Sequence, residues 1–449
     1  MSELDRRKFL GEALRSGATF GFMGLVTRAQ RFAELGTLAA DCDLPTYGPL
    51  APTAAANTGE TFLALPPGFQ YHVLGKAGSL MSDGTPTPAL HDGMAVFDIP
   101  DARGAWAIVR NHENAGFAGT GGAVTGPPPY DPAAAGGTTT LIINKRSRTL
   151  KNSVSSLAGT VRNCAGGRTP WNTWISCEET TVGLASGYTK PHGYCFEVDP
   201  RFPNGSPVAL KPMGRFRHEA VAVATESGCV YLTEDNNPAG FYRFIPNVSG
   251  QLQLGGQLQM LAVVGSPGRD LRNGMTVNNS FRTKWVPIAN PDPASIEFDA
   301  TAVFSQGLNA GGAVFTRLEG CFVERSVLYF TSTNGGNAGF GQVWRFEDER
   351  GSRHGKLTLI FESPGQAVLD FPDNICFGAN GKMFICEDGS GSNYVRMLTP
   401  DGSLSDFALN IVPGFSNYEF TGSCFSPDLT TMFVNIQTPG LTLAIWGPW

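Results

Sequence analysis

A short apolar run that ends in polar residues occurs six times along the chain. Each copy is rich in β-branched and aromatic residues, which is typical of a strand, and its last residues are acids, amides or histidine. The copies are WAIVRNHE (Trp106–Glu113), WISCEE (Trp174–Glu179), VYLTED (Val230–Asp235), LYFTSTN (Leu328–Asn334), MFICEDG (Met383–Gly389) and MFVNIQ (Met432–Gln437). Six similar units that cannot bury their own faces predict an all-β fold, a β-propeller with six blades.

A second polar signal precedes each copy by about the length of one hairpin. These signals are HDGM (His91–Met94), RNCAGG (Arg162–Gly167), RHEA (Arg217–Ala220), RLEG (Arg317–Gly320), FPDNI (Phe371–Ile375) and YEFTG (Tyr418–Gly422). In an antiparallel hairpin, the start of one strand and the end of the next lie at the same end. The two signals of each blade should therefore meet.

This pairing predicts which acids lie together. Glu219 should lie near Glu234 and Asp235, and Glu319 should face Asn334. By the same reasoning, Asp373 should face Glu387 and Asp388. Six blades would gather these carboxylates at one mouth of the central channel, which predicts a cation site there.

Composition agrees with a large β domain. The chain has 449 residues, with 56 Gly, 31 Pro and only 16 % charged residues, as expected for many short strands and turns. We expect a single propeller domain over residues 41–449. No apolar run reaches the about 18 residues of a membrane span. A net charge of −6 without a basic tract disfavours nucleic acid as a partner.

The N-terminus indicates targeting. The sequence DRRKFL (Asp5–Leu10) resembles the twin-arginine export motif, and a weakly apolar, Gly-rich stretch follows it. Residues 1–40 are therefore predicted to be an export signal, although a basic N-terminal helix is an alternative. The expected location is periplasmic or extracellular, with the twin-arginine export machinery as a partner during secretion.

The donor types in the repeats suggest two kinds of metal. Many oxygen ligands and few nitrogens favour calcium. Cys177 lies beside Glu178 and Glu179 at the end of a predicted strand, and its soft thiolate would favour a transition metal such as iron or zinc. Most of the other cysteines are interpreted as small buried hydrophobes. The residues thus predict a mixed site, with calcium on oxygens and a transition metal on Cys177 plus carboxylates.

Several longer segments resemble the PhoX-type alkaline phosphatases. They are TWISCEET (Thr173–Thr180), GRFRHEAVAV (Gly214–Val223), YLTEDN (Tyr231–Asn236), FYRFIP (Phe241–Pro246) and FSPDLTTMFVNIQTPG (Phe425–Gly440). The resemblance runs from about Phe62 to the C-terminus. It implies a propeller with iron and calcium at the channel mouth, and hydrolysis of phosphate monoesters, the expected small-molecule partners, outside the cytoplasm.

The resemblance also implies roles for individual residues. Cys177 would bind iron with Glu178 and Glu179 beside it, and Glu219 would be a further metal ligand. Arg317 would contact the substrate phosphate, with Cys177 and Glu219 as the other catalytic residues. Asn111 would approach the phosphate. The remaining metal candidates are Glu113, Glu234, Asp235, Glu319, Asp373, Glu387, Asp388 and Glu419.

Two other functions fit a calcium-bound propeller. One is a calcium-dependent hydrolase of lactones or phosphotriesters, which would need one calcium and no Cys177. The other is a non-catalytic binding module in which calcium is structural. Because propellers host many functions, the fold does not decide between them. Iron together with calcium would favour the phosphatase.

Overall fold

The computed structural model describes residues 47–99, 104–201, 206–349 and 354–449. The predicted export signal at residues 1–40 and the predicted domain start at residue 41 lie outside these ranges. Almost all of the regular secondary structure in these ranges is strand. In chain order the strands are β1 (Ala51–Thr53), β2 (Leu63–Leu65), β3 (Gln70–Lys76), β4 (His91–Asp98), β5 (Ala105–His112), β6 (Gly136–Asn144), β7 (Leu150–Thr160), β8 (Asn163–Arg168), β9 (Trp174–Glu178), β10 (Cys195–Val198), β11 (His218–Val223), β12 (Val230–Glu234), β13 (Phe241–Pro246), β14 (Gly256–Val263), β15 (Ser280–Pro287), β16 (Leu318–Glu324), β17 (Val327–Ser332), β18 (Gln342–Asp348), β19 (His354–Glu362), β20 (Pro372–Phe377), β21 (Met383–Glu387), β22 (Tyr394–Leu398), β23 (Leu404–Asn410), β24 (Phe420–Phe425), β25 (Met432–Ile436) and β26 (Leu441–Trp446).

These strands form a β-propeller, as the repeats predict. The blades are blade 1 (β4–β7), blade 2 (β8–β10), blade 3 (β11–β15), blade 4 (β16–β19), blade 5 (β20–β23 with β2 and β1) and blade 6 (β24–β26 with β3). Blades 3 and 4 share one continuous sheet because β15 pairs with β19. The first strands of the six blades, β4, β8, β11, β16, β20 and β24, are neighbours around a closed ring and line the central channel.

The predicted hairpins are confirmed. The two polar signals of each unit fall at the start of a blade's first strand and at the end of its second. In blade 3, for example, His218 pairs with Glu234, and in blade 5, Pro372 pairs with Glu387. Each first strand also carries an irregularity in register within its first few residues, of the kind that β-bulges produce. The bulges redirect the side chains that follow the strand start.

Small residues let the six first strands approach one another. A Cβ added to Gly320 would lie 2.5 Å from the carbonyl oxygen of Asp373, and one on Gly93 would lie 2.5 Å from the Cα of Ala165. No side chain fits at these distances. Outside this tight ring, aliphatic and aromatic side chains fill the spaces between blades, such as Met213, Phe216 and Phe244 between blades 2 and 3.

The two ends of the propeller chain meet in blade 6. Strand β3, from near the start of the domain, pairs antiparallel with β26, the last strand, and so completes a four-stranded sheet. Nearby aromatic rings strengthen the junction, since Phe69 lies with its ring centroid 4.9 Å from that of Trp449. The ring of blades is therefore closed by hydrogen bonds between distant parts of the sequence.

Helices are few and short. The described ranges contain one α-helix, α1 (Ala302–Asn309), in the long connection between β15 and β16, and four single 3₁₀ turns at Leu184–Ser186, Lys211–Met213, Leu252–Leu254 and Ala379–Gly381. Among the described residues, no helix has the length and apolar character that crossing a membrane requires.

Candidate metal centre at the channel mouth

Two positions in the repeated hairpin bring acids to one mouth of the channel. The first is the start of the bulge in the first strand, which carries an acid or a thiol in five blades: Asp92, Cys164, Glu219, Glu319 and Asp373. The second is the residue that follows the second strand, which is Glu113, Glu179, Asp235, Thr333, Asp388 or Gln437. The backbone N–H of each of these six donates to the carbonyl of the residue before the opposite strand, which fixes them at the mouth.

Nine carboxyl groups converge at this mouth, eight from these two positions and a ninth from Glu419, which precedes β24. They are Asp92, Glu113, Glu179, Glu219, Asp235, Glu319, Asp373, Asp388 and Glu419, and we call them the acid cluster. In blade 5, the predicted proximity of Asp373 and Asp388 is confirmed, because they lie close enough for the charge on Asp388 to raise the pKa of Asp373. Eight of the nine are among the metal ligands that the sequence predicts, and Asp92 is the addition.

The acid cluster carries more negative charge than the protein around it neutralises. Burial raises the pKa of Glu219 well above its usual range, and the charges on Asp373, Glu179 and Asp92 raise it further. The pKa of Glu319 rises for the same two reasons, burial first and then Asp235. At the edge of the cluster, burial raises the pKa of Asp388 to about 6. Packed, desolvated carboxylates of this kind are stabilised by bound cations.

Two subsets of the cluster have ligand atoms that converge on one point. In the first subset, one ligand atom each from Cys164, Glu179 and Glu219 lies within 4.8 Å of the others. In the second, the same holds for Glu219, Glu319 and Asp373. Glu219 belongs to both and could bridge two ions. The first subset combines a sulfur with oxygens, which suits a transition metal, whereas the second offers only oxygens, which suit a hard cation.

Two arginines border the acid cluster. Arg162 places its Nε 2.8 Å from Glu113 and 3.0 Å from Glu179. Arg317 places its Nε 3.0 Å from Asp235 and its Nη2 2.7 Å from Glu319. Both residues precede the first strand of their blade and have positive φ, 56° and 38°, so the backbone turns sharply to direct each guanidinium over the mouth. Such planar forks match the oxygens of a phosphate.

Three predicted ligands face away from the mouth. Successive side chains of a strand point to opposite faces. Glu179, Asp235 and Asp388 therefore join the cluster, whereas the residues just before them, Glu178, Glu234 and Glu387, point into the blades. This alternation corrects the assignment of all three as metal ligands.

Each of the three is held by bonds within its blade. Glu178 accepts hydrogen bonds from the backbone N–H of Val161, Gly193 and Tyr194 and contacts His192 at 2.7 Å. Glu234 accepts from the N–H of Gly240 and the hydroxyl of Tyr242. Glu387 accepts from the backbone N–H groups of Asp370 and Tyr394 and from the Nε of Arg396. These carboxylates anchor the loops that follow the second strands.

Cys177 and Asn111 also lie apart from the acid cluster. The Sγ of Cys177 is buried in the apolar core of blade 2, 3.7 Å from the Sγ of Cys195. Asn111 is buried, and its amide nitrogen donates to the carbonyls of Cys164 and Ala165, so it is not available to a phosphate. The structure thus places Cys164, and not Cys177, among the carboxylates.

The sequence contained a signal for the missed residues. Asp92 and Cys164 stand at the same position of the upstream signal as Glu219, Glu319 and Asp373. Arg162 likewise stands where Arg317 stands in its copy. The repeat itself, aligned residue by residue, therefore marks all three positions. Cys177 lies instead at a strand end, where the acids are more conspicuous in the sequence.

Comparisons with known proteins agree with this architecture. The family model of alkaline phosphatase PhoX matches residues 46–440. Among solved structures, Pseudomonas fluorescens PhoX in complex with vanadate, a transition state analogue, is similar with a TM-score of 0.69 and 19 % identity, covering 89 % of this chain and 97 % of that one. A gluconolactonase from Xanthomonas campestris covers 91 % of this chain and 100 % of its own at 12 % identity, but with a TM-score of 0.43. No protein of curated function matches significantly in sequence.

Proposed function

The chain belongs to the alkaline phosphatase PhoX family, and on that basis we propose that it hydrolyses phosphate monoesters with cations held by the acid cluster. The observation that carries the proposal is the pair of convergent ligand sets that share Glu219. A phosphate monoester is a dianion, and the carboxylates of the acid cluster would repel it. Bound cations must therefore offset the negative charge of these carboxylates before the ester can bind. The arginine forks beside the cluster then add donors for the phosphate oxygens.

The donor atoms of the two ligand sets suggest which metal each set would bind. Iron would be held by Cys164, Glu179 and Glu219, since a thiolate is a poor ligand for calcium. Calcium would be held by Glu219, Glu319 and Asp373, with Glu113, Asp235, Asp388, Glu419 and Asp92 available to complete the shells. When bound, these cations supply charge neutralisation and Lewis acidity toward the phosphoryl oxygens. The donor types and the family support iron and calcium as the metals, and Cys164 is proposed as the thiolate ligand in place of Cys177.

The protein groups have separate tasks in this scheme. Arg317, whose Nε and Nη2 hold Asp235 and Glu319, would contact the phosphate through its Nη1. Arg162 would likewise contact the phosphate from blade 2. Glu219 would supply ligand oxygens to both cations. That vanadate, a transition state analogue, is bound in the solved PhoX structure supports a site built around a phosphoryl transition state.

Export also belongs to the proposal. The DRRKFL sequence near the N-terminus would direct the chain through the twin-arginine route. The enzyme would then act in the periplasm or outside the cell, where phosphate esters of the medium are its substrates.

Metal content and turnover, measured on two variants of strand β16, test the proposal. Glu319 stands at the mouth end of this strand, and Glu324 stands at its opposite end. We expect Glu319→Gln to lower calcium content and to reduce turnover of an aryl phosphate about 100-fold. Glu324→Gln, the matched control, should keep both.

Two results would reject the proposal. Wild-type protein that contains calcium and iron but hydrolyses no phosphate monoester would exclude the phosphatase function. Glu319→Gln with unchanged calcium and unchanged turnover would show that the acid cluster is not the site.

A further inference from the structure

Cys177 and Cys195 are direct partners across strands β9 and β10. The register of the two antiparallel strands places Cys195 opposite Cys177. Their Sγ atoms lie 3.7 Å apart, and both residues are completely buried. This distance is van der Waals contact between two free thiols, and nothing separates the sulfur atoms.

The type of pairing matters for what these thiols can do. The N–H of Glu178 donates to the carbonyl of Tyr194, which makes the neighbouring pair a hydrogen-bonded one. Because the two types alternate along an antiparallel ladder, Cys177 and Cys195 form a non-hydrogen-bonded pair. Cα atoms of such pairs lie about 4.5 Å apart, at the short end of the roughly 4.4–6.8 Å that disulfides span.

No other strand cysteine in the described residues has this arrangement. Cys321, Cys376, Cys386 and Cys424 stand opposite Phe330, Phe384, Val395 and Phe433 respectively. Cys164 lies in the bulge of β8. The thiol pair in blade 2 is therefore a particular feature of that blade and not a consequence of cysteine content.

We propose that Cys177 and Cys195 are a modification site, at which hydrogen peroxide converts the two thiols into a cross-strand disulfide. One thiol would attack the peroxide oxygen to form a sulfenic acid and release water. The second thiol would then attack that sulfur, form the S–S bond and release a second water. Two thiols and one peroxide thus give one disulfide and two waters.

The disulfide would affect the metal centre through strand β9, which carries Cys177. Strand β9 ends at Glu178 and leads directly into Glu179, a member of the acid cluster. A covalent link to β10 would hold this strand end against the blade. The inference depends on strand register and sulfur contact, so it stands independently of the phosphatase proposal.

Thiol counting on the full-length protein tests the inference. The protein is treated with a small excess of hydrogen peroxide, denatured, alkylated and digested without reductant by a protease that cleaves after glutamate, since Glu178 and Glu179 lie between the two cysteines. We expect two of the nine cysteines to escape alkylation, and mass spectrometry should find the Cys177 and Cys195 peptides joined, two mass units below their sum. Reduction before alkylation should separate them. The melting midpoint should rise on oxidation, because the link constrains the unfolded chain.

Matched variants make the result decisive. In Cys195→Val, and in Cys195→Ser if the first variant folds poorly, Cys177 should remain fully alkylatable after peroxide, and the midpoint should not rise. Cys386→Val, which removes an equally buried thiol opposite Val395, should still form the link. Wild-type protein in which Cys177 stays free, oxidises to a sulfinic acid, or pairs with a different cysteine would overturn the proposal.

Discussion

At the scale of single residues, the surroundings of a cysteine decide its chemistry more than its position in a motif does. Cys164 and Cys177 stand on adjacent strands of the same blade, and both are buried. Burial raises the pKa of the Cys164 thiol, and the charges on Glu219 and Glu179 raise it further. A thiol in this position loses its proton when a soft cation replaces it, which is the situation that favours a metal thiolate.

The first prediction compares two conservative changes. We expect Cys164→Ser to lose most of its iron and nearly all turnover of phosphate monoesters, since the hydroxyl is a harder and more weakly acidic ligand. Cys177→Ser, made in the same blade, should keep both. Iron is measured by elemental analysis of protein exported by its own signal, together with the melting temperature.

Equal iron in the two variants would place the thiolate ligand elsewhere. A fall in melting temperature with iron retained would indicate that Cys164 only packs the bulge of β8.

The sequence predicted the acids well and the thiol poorly, for a physical reason. Carboxylates at strand ends are visible in sequence because apolar runs precede them. Which of two neighbours, such as Glu178 and Glu179, faces the channel depends on where the strand begins its alternation. The bulge at Cys164 shifts that alternation by one residue, and bulges have no dependable sequence signature.

At the scale of elements, the bulges and the small residues of the first strands act together on the geometry of the channel mouth. The bulge directs Glu319 toward the mouth, and Gly320, which follows it, passes against the backbone of Asp373 in the next blade. The position of a metal ligand and the spacing between blades are therefore set by adjacent residues. The hairpins themselves were predictable from alternating apolar residues and turns, whereas this close contact between blades was not.

The second prediction concerns this contact. In Gly320→Ala, the added methyl group would lie 2.5 Å from the Asp373 carbonyl, so blades 4 and 5 must move apart. We expect a loss of about 1–3 kcal/mol in the free energy of unfolding and weaker calcium binding. Denaturant unfolding and calcium titration measure the two effects.

Gly365→Ala is the matched control, because nothing lies within 4 Å of the methyl group it would add. If Gly320→Ala binds calcium as tightly as this control does, the spacing of blades 4 and 5 does not set the ligand geometry.

At the scale of the whole molecule, the acid cluster makes stability depend on cations. Burial first, and neighbouring carboxylates second, raise the pKa values of Asp92, Glu219, Glu319 and Asp373. In the absence of cations, the folded protein therefore retains protons that the unfolded chain releases. The free energy of unfolding must then fall as the pH rises from the unfolded carboxyl pKa, about 4, through the raised folded values.

The third prediction follows from this fall in the free energy of unfolding with rising pH. Protein treated with a chelator should melt at a higher temperature at pH 5 than at pH 8. Added calcium should raise the midpoint most at pH 8, where the carboxylates are ionised, and so reduce or invert the difference. Calorimetry across this pH range, with and without calcium, measures both. A chelated protein that is equally stable at the two values would show that the cluster does not bear the charge assigned to it.

Because β3 completes blade 6, the order of synthesis determines when the ring of blades can close. During synthesis, β3 leaves the ribosome long before β26, its one partner among the described strands. Glu419, at the entry to β24, likewise follows the other eight acids along the chain. A growing chain therefore has an open ring and an incomplete set of ligands. Closure of the ring must therefore follow synthesis of β26, and a chain that lacked this strand would carry all nine acids without the strand pairing that completes blade 6.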